Sequence, residues 1–298
     1  MNDLTRTRLE PGGRPLRRRW LPRLGGGGTV VVLSTIYLLA VVLTALFAGW
    51  LSPYPPTEQD LLARLTPPVF AGGTWAHPLG TDTLGRDILS RLFHGMRVSL
   101  SLALAGTVIG AALGTLLGFL AAAIGGIFED VVMALVDFQA SLPFLIIALA
   151  VLAFLGSSLT LFVMLMGLYG WETYARLSRG MVLSAQERDH IAAIRSLGAK
   201  PLRVYLRHIF PNIAPVLIVQ LTLNFPEIIL AETSLSFLGL GLQPPHTSLG
   251  MMLGDGRDYL IVAWWIAVLP GMTIFLTTLS ISILGDWVRD RLDPKLAD

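Results

Sequence analysis

The sequence predicts an all-α, polytopic membrane protein with six transmembrane helices. Of its 298 residues, 53% are hydrophobic and only 14% are charged, and the mean hydropathy is +0.66. Such a chain has too few charged side chains to solvate a globule of this length. Because the bilayer core holds no water, spanning segments have to satisfy their own backbone groups. Helices are favoured over a closed barrel because barrel strands are only about half as long as the apolar runs found here.

Six apolar runs are long enough to cross a hydrocarbon layer, which takes about 20 residues. They cover residues 29–50, 99–124, 131–155, 158–175, 213–236 and 261–285. The first, second and last contain no Asp, Glu, Lys or Arg. We therefore expect a basic tail (1–28), a first span with its following loop (29–98) and a five-helix core (99–298) that contains a loop at 187–212.

The distribution of Lys and Arg predicts the orientation. The N-terminal tail, the loop at 176–212 and the C-terminus together hold 17 of these residues. The connections on the other side hold five, which are Arg64, Arg86, Arg91, Arg97 and Arg257. The positive-inside rule then places both termini and the 187–212 loop in the cytoplasm. The formal net charge of only +2 hides this asymmetry. We interpret the basic residues as groups that orient the protein in the membrane and contact lipid headgroups. Nucleic acid is not an expected partner.

The N-terminus also has features of a secretion signal. Arg17, Arg18 and Arg19 precede an apolar run, as in a twin-arginine signal. Signal peptides, however, carry apolar regions of only about 7–15 residues before a cleavage site. The run at 29–50 is longer, so we interpret it as an uncleaved first span.

The segment from Asp189 to Asn212 is basic and amphipathic and lies between apolar runs. Ile191, Ile194 and Leu197 recur on one face of a predicted helix, with Ala192 and Ala193 beside them and Arg195 toward the polar side. Gly198 is expected to stop this helix, either with a positive φ or at a close backbone approach. Pro201 is suited to open a second short helix, and Pro211 to the first turn of the next span.

These features resemble the EAA loop of bacterial ABC-importer permeases. Three further motifs resemble the C-type permease subunit of dipeptide, oligopeptide and nickel importers. The first runs from His77 through Pro78-Leu79-Gly80-Thr81-Asp82 and Gly85-Arg86-Asp87 to Arg91; the second is Leu235-Ser236-Phe237-Leu238-Gly239-Leu240-Gly241-Leu242-Gln243-Pro244-Pro245; the third comprises Trp264, Trp265, Pro270 and Gly271 with Gly285, Asp286, Arg289, Asp290, Leu292, Asp293 and Pro294. The resemblance extends from about residue 30 to the C-terminus.

The resemblance implies the type I ABC-importer permease fold in a bacterial cytoplasmic membrane. It implies four kinds of contact: with a second permease subunit, with two ATP-binding subunits, with an external substrate-binding protein and with membrane lipid. It also assigns coupling to the ATPase to a set of residues in the loop, which are Asp189, Ala192, Ala193, Arg195, Gly198, Ala199 and Pro211. The substrate is expected to be a peptide or a related small solute such as a nickel chelate, and the sequence does not choose between them.

One departure from the family pattern affects the coupling loop. Counted back from Gly198, the position of the family's Glu holds Ala192, and the second Ala position holds Ile194. A charge-assisted contact from that Glu to the ATPase therefore cannot be carried over, whereas Ala193 and Gly198 keep the small residues that close docking needs.

Several residues inside the spans have two interpretations. Gly110, Gly114 and Gly118 form a small-xxx-small stripe, which favours close helix packing over lining a pathway. Carboxylates in apolar spans are costly unless they face a cavity or a partner. For Glu227 and Glu232 we therefore predict a place on the translocation pathway, with a structural role for Glu232 left open. For Asp137 a structural role is the favoured interpretation.

No catalytic or metal site is expected in this chain. It contains no cysteine, no H-E-x-x-H pattern and no G-x-x-x-x-G-K-[ST] phosphate loop, so ATP and Mg²⁺ would be bound by partner ATPases and no cofactor by this chain. The alternative function is a self-sufficient, ion-coupled carrier that uses Asp137, Glu227 and Glu232 as relay groups. Such carriers often contain inverted repeats, which we do not detect in this sequence.

Overall fold

The computed structural model describes residues 27–292. Most of the predicted basic tail (1–28) and the C-terminal Asp293 and Pro294 therefore lie outside the described residues. Within the described range the chain forms twelve α-helices: α1 (Gly27–Leu46), α2 (Ala48–Leu51), α3 (Ile88–Ile124), α4 (Gly126–Ser141), α5 (Phe144–Leu155), α6 (Leu159–Gly167), α7 (Trp171–Gln186), α8 (Asp189–Ser196), α9 (Pro201–Val204), α10 (Phe210–Phe237), α11 (Leu249–Gly256) and α12 (Trp265–Leu292). The described residues contain no strand, only one isolated β-bridge between Thr81 and Asp87.

Four continuous helices in the described range are long and apolar enough to cross a membrane. They are Gly28–Leu46, Ile88–Ile124, Pro201–Phe237 and Trp265–Arg291. Each contains most of one predicted span, and all-helical membrane architecture is confirmed. The six predicted spans are not six straight helices, however, because the two in the middle of the chain are broken.

The predicted span at 131–155 is bent at a proline. α4 and α5 meet at 88°, and Leu142 and Pro143 lie between them. A residue before proline is driven out of the helical region by contact with the proline ring. Leu142 accordingly has extended backbone angles, φ −110° and ψ 133°. If α4 and α5 are taken together as one bent span, they are a fifth candidate span in the described residues.

The predicted span at 158–175 is interrupted at a glycine. Gly170 has a φ of +80° and separates α6, which ends at Gly167, from α7, which continues to Gln186. A Cβ on Gly170 would also lie only 2.5 Å from the side-chain amide nitrogen of Asn224. The positive φ and the close approach of Asn224 therefore both require glycine at the break.

α3 is the central helix of the bundle. It packs against α7 over most of the length of α7 and also contacts α1, α6 and α10. It begins at Ile88 and not at the predicted residue 99, because Asp87 caps its N-terminus by accepting hydrogen bonds from the backbone and hydroxyl of Ser90, each 2.8 Å long. The main apolar core lies between α3, α10, α11 and α12.

α10 enters the bundle through an irregular turn. A π-helical segment, Tyr205–Ile209, joins α9 to α10 directly before Pro211. Proline has no N–H and its ring crowds the preceding turn, so a locally widened helix accommodates it. Further along α10, Pro215 and Pro226 lie inside the helix.

Candidate functional site

The segment 189–212 folds back against the end of α7. Ile191 of α8 is fully buried and packs in one apolar cluster with Val182 of α7, Val204 of α9 and Ile209. Asp189 lies in the first turn of α8 and Arg195 in the last, so both charges complement the helix dipole. One buried side chain and two short connections therefore hold α8 in place.

The predicted helix stop at Gly198 and helix start at Pro201 are confirmed, whereas Pro211 lies inside the continuous helical run Pro201–Phe237. α8 ends at Ser196, and Gly198 follows with a φ of +83°. A Cβ on Gly198 would meet nothing within 4 Å, so glycine is required here by its backbone angle and not by crowding. Pro201 opens α9 at its first position, and Pro211 lies in the first turn of α10.

Most predicted coupling residues lie on the exposed surface of α8. Asp189, Ala192, Ala193, Arg195 and Gly198 are exposed, and Ala199 is half-buried. The prediction that Leu197 shares the buried face of Ile191 is wrong, since Leu197 is 87% exposed. The helix ends at Ser196, so Leu197 leaves the helical periodicity and points away from the bundle. The exposed surface of α8 thus combines charged and small side chains, and the exposed Leu197 directly follows it.

The three glycines of the stripe on α3 lie against the backbones of α6 and α7. A Cβ on Gly110 would lie 3.0 Å from the carbonyl oxygen of Gly167. A Cβ on Gly114 would overlap the carbonyl of Trp171, and one on Gly118 would overlap that of Ala175. These contacts bring α7 within backbone distance of α3, which only glycine permits.

Glu232 is fully buried within a set of serine side chains. Its Oε2 accepts a hydrogen bond of 3.1 Å from Ser99 of α3, and its Oε1 accepts one of 2.8 Å from Ser236. The same Ser99 hydroxyl accepts the backbone N–H of Leu249 at the start of α11, at 3.1 Å. Glu232 therefore joins three helices, and within this single chain it has no exposed surface.

Glu227 and Asp137 lie in different surroundings. Glu227 is exposed and borders a hollow of about 170 Å³ together with Glu172 and Tyr169. Asp137 of α4 accepts a hydrogen bond of 3.0 Å from Arg176 of α7, in an ion pair whose side chains are 73% and 53% exposed. The three carboxylates thus differ in environment: Glu232 is buried, Glu227 lies at a hollow and Asp137 is in a surface ion pair.

The loop between α2 and α3 contains a buried ion network that the sequence analysis did not single out. Asp82, which is 1% exposed, accepts hydrogen bonds from the backbone N–H of Leu84 and Arg86, at 2.8 and 2.9 Å, and from the guanidinium of Arg91. Arg91 also donates to Asp255 of α11 at 3.1 Å. The motif from His77 to Arg91 is therefore the sequence of a loop fastened to both α3 and α11. The sequence pattern of this loop indicated a motif, but only the fold shows that Asp255 is a partner of Arg91.

A metal centre is not present among the described residues, where no three His, Asp or Glu side chains come together. His77 is engaged otherwise, with its Nδ1 at 3.0 Å from Asp87 Oδ1.

The sequence matches two family models that together cover most of the chain. Residues 114–298 match the model described as binding-protein-dependent transport system inner membrane component, and residues 29–68 match the N-terminal TM domain of oligopeptide transport permease C. With its long apolar helices and exposed α8, the protein is a multi-pass membrane protein of the permease class. The chain belongs to the family of binding-protein-dependent transport system inner membrane components.

Curated relatives match over nearly the whole chain. The di/tripeptide transport system permease protein DppC of Pseudomonas aeruginosa is 43% identical over 95% of this chain and 93% of that protein. The dipeptide transport system permease protein DppC of Escherichia coli K12 is 40% identical, over 95% of this chain and 94% of that protein. The one from Haemophilus influenzae is 35% identical, over 95% of both chains.

A solved structure has the same fold. A chain of the MetNI methionine ABC transporter, in an inward-facing conformation, superimposes with a TM-score of 0.55 at 19% identity. The match covers 69% of this chain and 98% of that chain. The core of this protein therefore has the permease fold of that transporter.

Proposed function

We propose that this chain is the transmembrane permease subunit of an ATP-driven ABC importer for dipeptides or short peptides and forms half of the translocation pathway. The observation that carries this proposal is α8, a short exposed helix held to the bundle by Ile191 and ended by a glycine of positive φ. A transport subunit without its own phosphate loop needs such a surface to receive motion from an ATPase. The relatives named as di- and tripeptide permeases support the substrate class.

The partners follow from this role. Two ATP-binding subunits bind ATP and Mg²⁺, a second permease subunit completes the pathway, and an external binding protein delivers the peptide. The side that carries α8 faces the cytoplasm together with both termini, in keeping with the five basic residues that follow α7, which are Arg188, Arg195, Lys200, Arg203 and Arg207. Ala192, Ala193 and the exposed Leu197 are the residues that contact the ATPase in this proposal.

The proposal is tested in proteoliposomes that contain the complete transporter. We expect uptake of radiolabelled alanyl-alanine that requires ATP on the α8 side and the loaded binding protein on the other side. The chain purified without its partners should hydrolyse no ATP. ATP hydrolysis by the isolated chain, or ATP-independent accumulation of the peptide, would contradict the proposal.

The same vesicles test the alternative of an ion-coupled carrier. A carrier would accumulate alanyl-alanine when only this chain and a proton or sodium gradient are present. In the ATP-driven importer, collapsing the gradients with ionophores leaves uptake unchanged as long as ATP is supplied. Loss of uptake on adding ionophores, with ATP present, would favour the carrier.

A further inference from the structure

α7 presents a polar surface at membrane depth. Its exposed residues Thr173, Arg176, Gly180 and Ser184 recur every three or four positions, so they share one face of the helix. The first turns of α7 lie directly against Gly114 and Gly118 of α3, inside the uncharged run at 99–124. A charged face at that depth has to meet a water-filled cavity or a polar partner rather than lipid.

Two adjoining hollows lie along this face. The first has a volume of about 170 Å³ and is bordered by Glu172, Thr173 and Tyr169 of the α6–α7 region and by Glu227 of α10. The second, about 420 Å³, is bordered by Thr173, Arg176 and Gly180. Both hollows are bordered by Thr173, so they adjoin, with carboxylates at the first and a guanidinium at the second; the two together are called the depression below.

The charged groups of the depression keep unused bonding capacity. Glu172 Oε2 accepts a hydrogen bond of 3.1 Å from Gln139, which orients the carboxylate. Arg176 gives one N–H to Asp137 at 3.0 Å, and a guanidinium has five such donors. The Arg176 side chain remains 53% exposed, so its other donors face the depression or solvent.

A buried amide behind the first hollow is also unpaired. Asn224 of α10 is 1% exposed, and its Oδ1 has no hydrogen-bond partner among the described residues. It lies behind Gly170, which borders the hollow, so a Cβ on Gly170 would be 3.5 Å from this oxygen. Asn224 therefore places an unpaired polar atom behind the wall of the hollow, although it does not itself border the hollow.

We propose that this depression is a subsite for zwitterionic short peptides on the translocation pathway, which rests on the proposed import function. Glu172 and Glu227 bind the α-ammonium group, and Arg176 binds the α-carboxylate. Along α7, Glu172 and Arg176 are separated by a rise of about 6 Å, at 1.5 Å per residue. The ammonium and carboxylate of an extended dipeptide are roughly 6 Å apart, so they can reach side chains whose backbone positions are one helical turn apart.

The first experiment asks whether the depression contains water and peptide. Because the chain has no cysteine, Gly180→Cys introduces its only thiol, and a Cβ at Gly180 meets nothing within 4 Å. In the purified complete transporter without ATP, we expect a water-soluble maleimide to label Gly180→Cys. The control is Leu116→Cys, at a 57% exposed position in the apolar groove between α3 and α10, which should remain unlabelled.

Alanyl-alanine should slow the labelling of Gly180→Cys, whereas its uncharged derivative, N-acetyl-alanyl-alanine amide, should not. Adding Glu172→Gln and Glu227→Gln should raise the concentration of alanyl-alanine that gives half-protection by about tenfold, because charge-assisted hydrogen bonds to the ammonium are lost. Asp258→Asn removes a carboxylate that is 77% exposed and distant in the chain, and should leave half-protection unchanged. Equal protection by both peptides, or no labelling of Gly180→Cys, would overturn the subsite.

The outcomes separate this subsite from the import function. If the wild-type transporter imports alanyl-alanine with ATP but the peptide does not protect Gly180→Cys, the subsite is wrong and the import function stands. If the peptide protects Gly180→Cys but uptake does not depend on ATP, the subsite stands and the import function is wrong.

Discussion

The hydroxyl of Ser99 donates a hydrogen bond to Glu232 across 3.1 Å and, with the same oxygen, accepts the backbone N–H of Leu249. One serine thereby fixes the relative positions of α3, α10 and α11. Glu232 completes the arrangement by accepting a second hydrogen bond from Ser236, one helical turn further along α10. The carboxylate of Glu232 therefore links helices, in addition to the predicted place of this residue on the translocation pathway.

For Glu232, we expect replacement by alanine to destabilise the protein more than replacement by glutamine. Glu232→Ala leaves buried hydroxyl donors unpaired, at a cost of about 1–3 kcal/mol. Glu232→Gln keeps the shape and one acceptor oxygen. Thermal unfolding of the purified complex measures the difference, and uptake should fall in parallel with stability. Full stability with lost uptake in Glu232→Gln would instead assign the charge directly to the pathway.

For the buried ion network, Arg91→Met is expected to lower the free energy of unfolding by about 1–3 kcal/mol, because Asp82 loses one of its two guanidinium partners and keeps only Arg86, at 2.6 Å. Asp255→Asn should cost less, since Asp255 is 35% exposed and can be hydrated. The control is Arg97→Met, which removes an exposed arginine from the same helix and should change stability by no more than about 0.5 kcal/mol. Similar melting temperatures for the two arginine variants would contradict the structural role of the network.

For the α3–α7 contact, Gly114→Ala places a methyl group on the carbonyl of Trp171. We expect a loss of about 1–3 kcal/mol, as in other overpacked contacts. Gly49→Ala is the matched control, because a Cβ at Gly49 meets nothing within 4 Å. Thermal unfolding of both variants measures the effect. Equal stability of Gly114→Ala and Gly49→Ala would contradict a tight contact between α3 and α7.

We expect coupling between ATP hydrolysis and transport to depend on the backbone angle at Gly198, whose φ is +83°. Most residues with a Cβ lose roughly 1–2 kcal/mol in this conformation, whereas asparagine tolerates it. Gly198→Val should therefore misplace α8 and abolish ATP hydrolysis stimulated by the loaded binding protein, together with uptake. Gly198→Asn should retain both activities. Normal uptake and stimulation in Gly198→Val would show that the angle is not needed for coupling.

The sequence alone determined the features that depend on local chemistry. Apolar runs predict membrane helices because each helix satisfies its own backbone. Gly198 predicts a helix stop and Pro201 a helix start because the preferences of glycine and proline act within one or two residues. The exposed position of Leu197 was missed for a local reason too, since the helix ends one residue before it.

The tertiary structure decided which distant groups meet. Arg91 pairs with Asp255, 164 residues away in the chain, and Ser99 binds Glu232 across 133 residues. Glu172, Arg176 and Glu227 likewise border one depression only because α7 and α10 pack side by side. Helix periodicity places a residue on a face, but the neighbour of that face depends on how the helices pack. Packing depends in turn on glycine contacts and on the breaks at Pro143 and Gly170.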